Sequence, residues 1–214
     1  MDVENLENFI NTIRKALENP PGIEAYEKMM PEIRDRLEHL DVSKIDDAKL
    51  SSVLILLYQY EEKIYIPLTK RHDYKGTHGG QISFPGGKHE EDDESRTHTA
   101  LREAHEEIGV DPSEIEIIGL LSEIYISPSN FKVLPVVGYI NVKPSFVREE
   151  FEVEKIIEVE ISDFLDKANH KIKDMEVRNS LIKDIPYFDI QGHVVWGATA
   201  MILSELVYII ENMD

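Results

Sequence analysis

The segment from residue 84 to residue 110, FPGGKHEEDDESRTHTALREAHEEIGV, constrains the chain most strongly. It predicts a Gly-Gly turn, then an acidic loop, and then a helix that ends near Gly109. In that helix Glu103, Glu106 and Glu107 stand at i, i+3 and i+4, so their carboxylates share one face. Neighbouring carboxylates repel one another, and a hard cation such as Mg²⁺ or Mn²⁺ relieves the repulsion. The pattern therefore predicts a metal site that acts on a phosphate substrate.

A solvated acidic helix face is the alternative interpretation, because most charge runs are no more than that. The numbers favour a metal, since eight acids stand against three bases between residues 88 and 107. Simple ion pairing leaves most of these acids uncompensated. The acids are Glu90, Glu91, Asp92, Asp93, Glu94, Glu103, Glu106 and Glu107, and the bases are Lys88, Arg96 and Arg102.

The same segment resembles the signature box of the Nudix hydrolases, which cleave nucleoside diphosphates linked to another group. The run from Arg102 to Val110, REAHEEIGV, matches the second half of that box at every specified position. The first half departs from it, because six residues separate Gly87 from Glu94 where the box has five. The resemblance implies the following roles: Glu103 and Glu107 hold a divalent ion, Glu106 helps to bind it or a second ion, Arg102 orients the carboxylates, and Gly86 offers a backbone carbonyl.

Flanking segments resemble the coenzyme A diphosphatase subfamily. They are residues 68–71, LTKR, residues 80–87, GQISFPGG, the stretch 129–138, and residues 196–200, WGATA. This resemblance implies hydrolysis of coenzyme A or an acyl derivative to 3′,5′-ADP and 4′-phosphopantetheine. Gly76 stands where the subfamily usually has Arg, which keeps ADP-ribose or another nucleoside diphosphate derivative open as the substrate. A non-enzymatic Nudix module that only binds a nucleotide is a third interpretation, although all three box glutamates are present.

Two groups of residues are candidates for the remaining parts of a phosphate-cleaving site. The basic loop 69–80 contains Lys70, Arg71 and Lys75, and we predict that it anchors a second phosphate of the substrate. An ordinary solvated hairpin end is the alternative for that loop. Family members take their general base from the box or from a later loop, and the sequence does not choose among the candidates. Besides Glu106, which we predict to be catalytic with Arg102, these are Glu149, Glu150 and Glu152.

Composition limits the partners and the compartment of the chain. A formal charge of −19 argues against a broad grip on nucleic acid, whereas a small nucleotide can be bound through a divalent metal. No window is apolar enough to span a membrane, and the acidic N-terminus does not read as a secretory signal. With no cysteine in its 214 residues, the chain is predicted to have no disulfide framework and to be cytoplasmic.

Hydrophobic periodicity predicts an α+β fold, which the resemblance narrows to a Nudix-type α/β/α sandwich with a mixed sheet. Residues 1–45 are predicted to be an N-terminal helical extension that packs on the main domain or serves a homodimer. Residues 46–214 are predicted to be the Nudix hydrolase domain. The predicted helices are 3–19, 24–39, the box helix and 199–210, and the predicted strands are 52–60, 63–68, 115–126, 132–142 and 155–161.

Overall fold

A computed structural model describes residues 3–31, 46–72, 80–177 and 180–213. Its elements alternate strands with a few helices, as the apolar runs and the helical spacing predict. The helices are α1 (Val3–Ala16), α2 (Ile23–Tyr26), α3 (Arg96–Ile108), α4 (Ile161–Leu165) and α5 (Gly197–Glu211). The strands are β1 (Lys49–Tyr60), β2 (Lys63–Arg71), β3 (Ile82–Ser83), β4 (Gly86–Lys88), β5 (Glu116–Leu120), β6 (Ile124–Ile126), β7 (Phe131–Ile140), β8 (Val153–Glu160), β9 (His170–Val177), β10 (Ser180–Ile190) and β11 (His193–Trp196).

The main sheet has eight strands, and strand β1 lies at its centre. Strand β1 is parallel to β7 and antiparallel to both β2 and β4, so the sheet is mixed as predicted. Strand β2 pairs with β3 on one side and with β8 on the other. Strands β9, β10 and β11 form a separate antiparallel sheet.

Helices cover both faces of the main sheet. Along β1, Leu54 and Leu56 pack in the cluster that includes Ala100 and Ala104 of α3, and Ile55 packs in the cluster of α5. Side chains of a strand alternate between its faces, so an unbroken apolar run is what a strand covered on both sides requires. The run from Leu54 to Tyr58 is fully buried. The predicted α+β sandwich is confirmed.

Several predicted boundaries differ from the structure. The strand predicted at 115–126 is divided into β5 and β6 by residues 121–123. The helix predicted at 24–39 begins as α2 and continues as one 3₁₀ turn, Glu27–Met29, and most of its remainder lies outside the described residues. Strands β9 and β10 were not predicted. Many of their side chains are exposed, as at Ile172 and Leu181, so the alternation that marks a half-buried strand is weak.

The N-terminal helix packs on the main domain. Ile10, Ile13 and Leu17 are buried in the same apolar cluster as α5. Gly119 of β5 makes this approach possible, because a Cβ atom there would lie 2.6 Å from the Cβ of Leu17. Within the described residues, no helix is long and apolar enough to cross a membrane.

Glu205 of α5 joins three parts of the chain through a fully buried carboxylate. It accepts hydrogen bonds from the backbone N–H of Gly22 at 2.8 Å, the backbone N–H of Ser122 at 3.1 Å and the Ser122 hydroxyl at 2.6 Å. These bonds tie the turn after α1 and the β5–β6 connection to the last helix. A buried carboxylate is tolerated only when donors satisfy it in this way.

We predict that Glu205→Ala lowers the free energy of unfolding by about 2–4 kcal/mol, because three donors lose their acceptor. Urea denaturation followed by circular dichroism measures the change. The control is Glu211→Ala on the same helix, where the ion pair with Lys167 is exposed and contributes less than about 1 kcal/mol. Equal losses for the two variants would show that the buried carboxylate is not a structural tie.

Candidate active site

Helix α3 begins and ends at capping residues encoded in the sequence. The Ser95 side chain accepts a hydrogen bond from the backbone N–H of His98 at 3.1 Å, and Gly109 ends the helix in the left-handed conformation with φ of 73°. Ala100, Ala104 and Ile108 face β1 and are buried. This packing fixes the rotation of the helix about its axis, and with it the direction in which the glutamates point.

Glu107 lies at the most enclosed point of this region, with 4% of its side chain exposed. One carboxylate oxygen is 3.0 Å from a guanidinium nitrogen of Arg71, and the other accepts the backbone N–H of Gly86 at 3.3 Å. Burial raises the pKa of Glu107 to about 7, although Arg71 and the Gly86 N–H act in the opposite direction. The charges of Glu103 and Glu152 raise this pKa further.

Glu103 stands one helical turn before Glu107 and is also largely buried, with 14% of its side chain exposed. Burial raises its pKa above the ordinary value, Arg102 opposes that shift, and Glu106 and Glu152 add to it. The Glu103 carboxylate occupies the space where a side chain at residue 87 would stand. A Cβ atom on Gly87 would lie 2.4 Å from the carboxylate carbon and from one of its oxygens.

Gly86 and Gly87 lie in strand β4, so the predicted Gly-Gly turn is wrong. Residues 86–88 pair antiparallel with residues 51–53 of β1. Gly86 has φ of 156°, and a Cβ atom there would lie 2.4 Å from the Ser52 carbonyl oxygen. Only glycine allows the strand to run this close to β1 while it presents its N–H to Glu107.

Arg102 holds the acidic loop against the helix. It donates from Nε and a guanidinium nitrogen to the two Asp93 carboxylate oxygens at 2.9 and 3.1 Å. It also lies 3.0 Å from Glu103 and donates to Glu106 at 3.0 Å. Asp93 is buried and accepts further bonds from the Glu90 N–H and the Thr99 hydroxyl. The bond with Arg102 is the main reason that the pKa of Asp93 lies well below its ordinary value.

A loop between β7 and β8 runs alongside the end of α3. The N–H groups of Val147 and Glu149 donate to the carbonyls of Ile108 and Glu107 at 3.0 and 2.9 Å. Gly109 permits the contact, since a Cβ atom there would lie 2.9 Å from both the Cβ and the carbonyl oxygen of Val147. Glycine at position 109 therefore ends the helix and admits the loop that carries Glu152.

The three glutamates of this loop have different surroundings. The Glu149 carboxylate accepts the N–H groups of Phe151 and Glu152 at 2.9 and 2.8 Å, so it stabilises the turn itself. The Glu150 carbonyl pairs with the imidazole of His72 at 2.9 Å, and its side chain is not used in that contact. Glu152 is the member whose charge raises the pKa of both Glu103 and Glu107. Glu152 is exposed, and its charge acts on the buried pair.

Comparisons with known proteins identify the family. The chain matches the NUDIX domain over residues 48–176, which is more than half of its length. This chain belongs to the Nudix family. It is 36% identical over 162 residues to Nudix hydrolase 15, mitochondrial, of Arabidopsis thaliana, covering 72% of this chain and 56% of the relative. It is also 36% identical over 160 residues to an uncharacterised Nudix hydrolase, NudL, of Enterobacter sp., covering 73% of this chain and 80% of the relative.

A solved structure supports the fold. The crystal structure of a Nudix hydrolase from M. smegmatis, RenU, superposes with a TM-score of 0.54 at 14% sequence identity. The match covers 78% of this chain and 88% of that one.

The chain spans about half the length of the plant Nudix relatives, 56% of one and 53% of another.

Within the Nudix box, the structure changes the assignment of the first acidic residue. Asp93, not Glu94, contacts Arg102, and Asp93 follows Gly87 after the five residues that the box specifies. Glu94 is exposed. The additional residue of this chain thus lies between the acid and Arg102. The five-residue spacing from Gly87 could have identified Asp93. This signal was missed because the box has Glu at this position, and Glu94 follows directly.

The structure separates the predicted site residues into groups. Glu103, Glu107 and the backbone of Gly86 come together, and Glu152 stands near them, whereas Glu106 has 56% of its side chain exposed and pairs with Arg102. Arg71 contacts Glu107, while Lys70 pairs with Glu154 at 2.7 Å. The predicted substrate residue Lys75 lies outside the described residues. Among those that are described, no three His, Asp or Glu side chains are arranged as a ready-made metal site.

The buried carboxylates nevertheless fit a divalent ion chemically. Glu103 and Glu107 are hard oxygen donors, and the charge of Glu103 raises the pKa of Glu107. At present the Arg71 guanidinium supplies the positive charge beside Glu107. A divalent cation held by Glu103 and Glu107 would compensate the same charge and would leave Arg71 available to a phosphate oxygen.

We predict different effects for alanine at the two neighbouring glycines. Gly86→Ala should lower the free energy of unfolding by at least about 2 kcal/mol, because its Cβ meets the backbone of β1. Gly87→Ala should change it by less than about 1 kcal/mol, since the Glu103 carboxylate can move away. The displaced carboxylate should weaken Mn²⁺ binding about 10-fold or more in calorimetric titration. Unaltered Mn²⁺ affinity in Gly87→Ala would contradict the placement of Glu103.

We also predict that Asp93→Asn destabilises the protein by about 1–3 kcal/mol at pH 7, because Arg102 loses an ionised partner. The folded pKa of Asp93 lies below its ordinary value of 3.8, so its stabilising effect is present above that value and is lost as pH falls. The difference between wild type and variant in urea denaturation should therefore be constant above about pH 5 and shrink below about pH 4. The control is Asp92→Asn at the exposed neighbouring residue. A stability difference between wild type and Asp93→Asn that does not change with pH would refute the ion pair.

Proposed function

We propose that this Nudix protein is a metal-dependent hydrolase of the phosphoanhydride bond in a nucleoside diphosphate derivative, with coenzyme A or an acyl-coenzyme A as its substrate. The observation that carries the proposal is the pair of buried carboxylates, Glu103 and Glu107, held against the β4 backbone with Arg71 and Glu152 beside them. The coenzyme A assignment is supported by the resemblance of residues 68–71, 80–87, 129–138 and 196–200 to that subfamily.

Mg²⁺ or Mn²⁺ is the proposed cofactor, held by Glu103 and Glu107 with the Gly86 backbone close by. When bound, such an ion neutralises charge on the diphosphate and makes water a better nucleophile. Arg71 holds a phosphate oxygen in this proposal. Arg102 is a positioning residue, since it contacts Asp93, Glu103 and Glu106. Glu106 remains a candidate for a second ion or for the general base.

We infer that Glu152 is the general base. The Glu149 carboxylate is engaged in the loop turn and Glu106 is engaged with Arg102, whereas the charge of Glu152 raises the pKa of Glu103 and Glu107. In the proposed reaction Glu152 takes a proton from water as the water oxygen bonds to one phosphorus. The bridging P–O bond breaks, and the products are 3′,5′-ADP and 4′-phosphopantetheine. Most of the rate enhancement comes from positioning and charge neutralisation.

The alternative substrate is ADP-ribose or another nucleoside diphosphate derivative, which Gly76 keeps open because it stands where the coenzyme A subfamily has Arg. A module that only binds nucleotide is the more distant alternative. The cytoplasm as compartment and a homodimer as assembly stay predictions from the sequence, as does the boundary between residues 1–45 and 46–214.

The test is incubation with coenzyme A and Mg²⁺ or Mn²⁺, followed by chromatography with mass detection of the products. We expect 3′,5′-ADP and 4′-phosphopantetheine from wild type and neither from Glu107→Gln. Glu152→Gln should lower kcat at least about 100-fold, as expected when a general base is removed. Glu150→Gln, whose side chain is exposed, is the matched control and should stay within about threefold of wild type.

Other outcomes of this assay select among the alternatives. Cleavage of ADP-ribose but not coenzyme A would establish the second substrate class. Equal losses in Glu150→Gln and Glu152→Gln would contradict the assignment of the base. Absence of turnover with every substrate and either metal would favour the module that only binds nucleotide.

A further inference from the structure

Strand β2 ends with two basic residues that point to opposite faces of the main sheet. Lys70 shares its face with Ile66 and Leu68, which pack in the cluster of α5. Arg71 points to the face of α3, where it contacts Glu107. Lys70 and Arg71 are adjacent in β2. The basic position at Lys70 therefore lies one residue from the carboxylate site, on the other face of the sheet.

Lys70 is not alone on its face. In the β2–β8 pairing, Lys155 stands directly opposite Lys70. Like charges placed opposite each other destabilise a sheet, so the arrangement needs negative charge nearby. Glu154 pairs with Lys70 at 2.7 Å. Lys155 is exposed, and it forms no ion pair with any residue that the structure describes.

The second sheet adds His193 to the two lysines. The β10–β11 turn is attached to β8 by a hydrogen bond of 3.0 Å from the Gln191 side chain to the Glu158 carbonyl. His193 begins β11 immediately after this turn. Burial, followed by the charges of Lys155 and Lys70, holds the pKa of His193 below its ordinary value, while Glu154 acts in the opposite direction. The imidazole thus lies within electrostatic reach of both lysines.

A cluster of this kind is unusual in a protein with a net charge of −19. A phosphate monoester carries a charge of about −1.5 to −2 at pH 7. Glu154 compensates Lys70, but the charge of Lys155 still attracts such an anion. A neutral imidazole can donate a further hydrogen bond to a phosphate oxygen. Lys70 adjoins Arg71 at the end of β2, so a nucleotide that binds both sites would have to extend from the carboxylate site over this end of the strand.

We propose that Lys70, Lys155 and His193 form a binding site for a phosphate monoester, and that its ligand is the 3′-phosphate on the ribose of a coenzyme A substrate. The identity of that ligand rests on the proposed function. The cluster would then distinguish coenzyme A from nucleoside diphosphate derivatives that lack a ribose phosphate. Lysine at position 70 retains its predicted role in substrate binding, but on the opposite face from Arg71.

The kinetic test compares coenzyme A with dephospho-coenzyme A, which lacks only the 3′-phosphate. We expect Lys155→Gln to lower kcat/KM for coenzyme A about 5–10-fold through KM, the loss of one charged hydrogen bond. Its kcat/KM for dephospho-coenzyme A should stay within about twofold of wild type. Lys173→Gln, an exposed lysine of β9, is the matched control for the loss of one positive charge and should alter neither value. Equal effects of Lys155→Gln on both substrates would overturn the proposal.

A binding test separates this inference from the proposed function. Adenosine 3′,5′-bisphosphate and AMP are titrated into the full chain while the His193 imidazole is followed by nuclear magnetic resonance, with His193→Gln for assignment. We expect the bisphosphate, and not AMP, to shift this resonance in wild type, and Lys155→Gln to weaken the effect. If no coenzyme A is cleaved but this result holds, the proposed reaction fails and the phosphate site stands. Identical behaviour of the two nucleotides would overturn the site.

Discussion

The close approach of strand β4 to helix α3 is the constraint on which the site depends. Gly86 lies so near β1 that any side chain would meet backbone, and Gly87 leaves its side-chain space to the Glu103 carboxylate. Between these two glycines and the helix, Glu107 is almost removed from water, with a pKa raised to about 7 by burial. Two carboxylates in so dry a place carry an electrostatic cost that a cation relieves, whether it is the guanidinium of Arg71 or a divalent metal.

Fixed contacts outside the carboxylate pair hold the geometry in place. Asp93 and Arg102 tie the acidic loop to the helix, and two backbone hydrogen bonds tie the loop of Glu152 to the helix end. Gly109 has two roles: it ends α3, and its lack of a side chain leaves room for Val147 to pack beside it. The carboxylates are thus supported by rigid elements on two sides, which is the condition for holding a reacting group in one position.

Charge is distributed unevenly in this acidic protein, and the main sheet separates basic residues onto its two faces. Arg71 lies on the α3 face with the buried glutamates, whereas Lys70 and Lys155 lie on the α5 face, within electrostatic reach of His193. A strand turns successive side chains to opposite sides, so two basic residues that adjoin in sequence reach different environments. This separation is the basis of the proposed second phosphate site at the same end of the sheet.

The sequence by itself determined the helix that carries Glu103 and Glu107, its end near Gly109, the strand over residues 52–60, and the family. These features follow from local periodicity and from spacing along one element, which the order of residues encodes directly. Only the tertiary structure decided that Asp93 is the partner of Arg102, that Gly86 and Gly87 form a strand, that Lys70 and Arg71 contact different carboxylates, and that the charge of Glu152 acts on the buried pair. Each of these depends on which distant segments pack together and which side chains lose contact with water. Strands β9 and β10 were missed for a related reason, since their exposed faces provide little hydrophobic pattern to read.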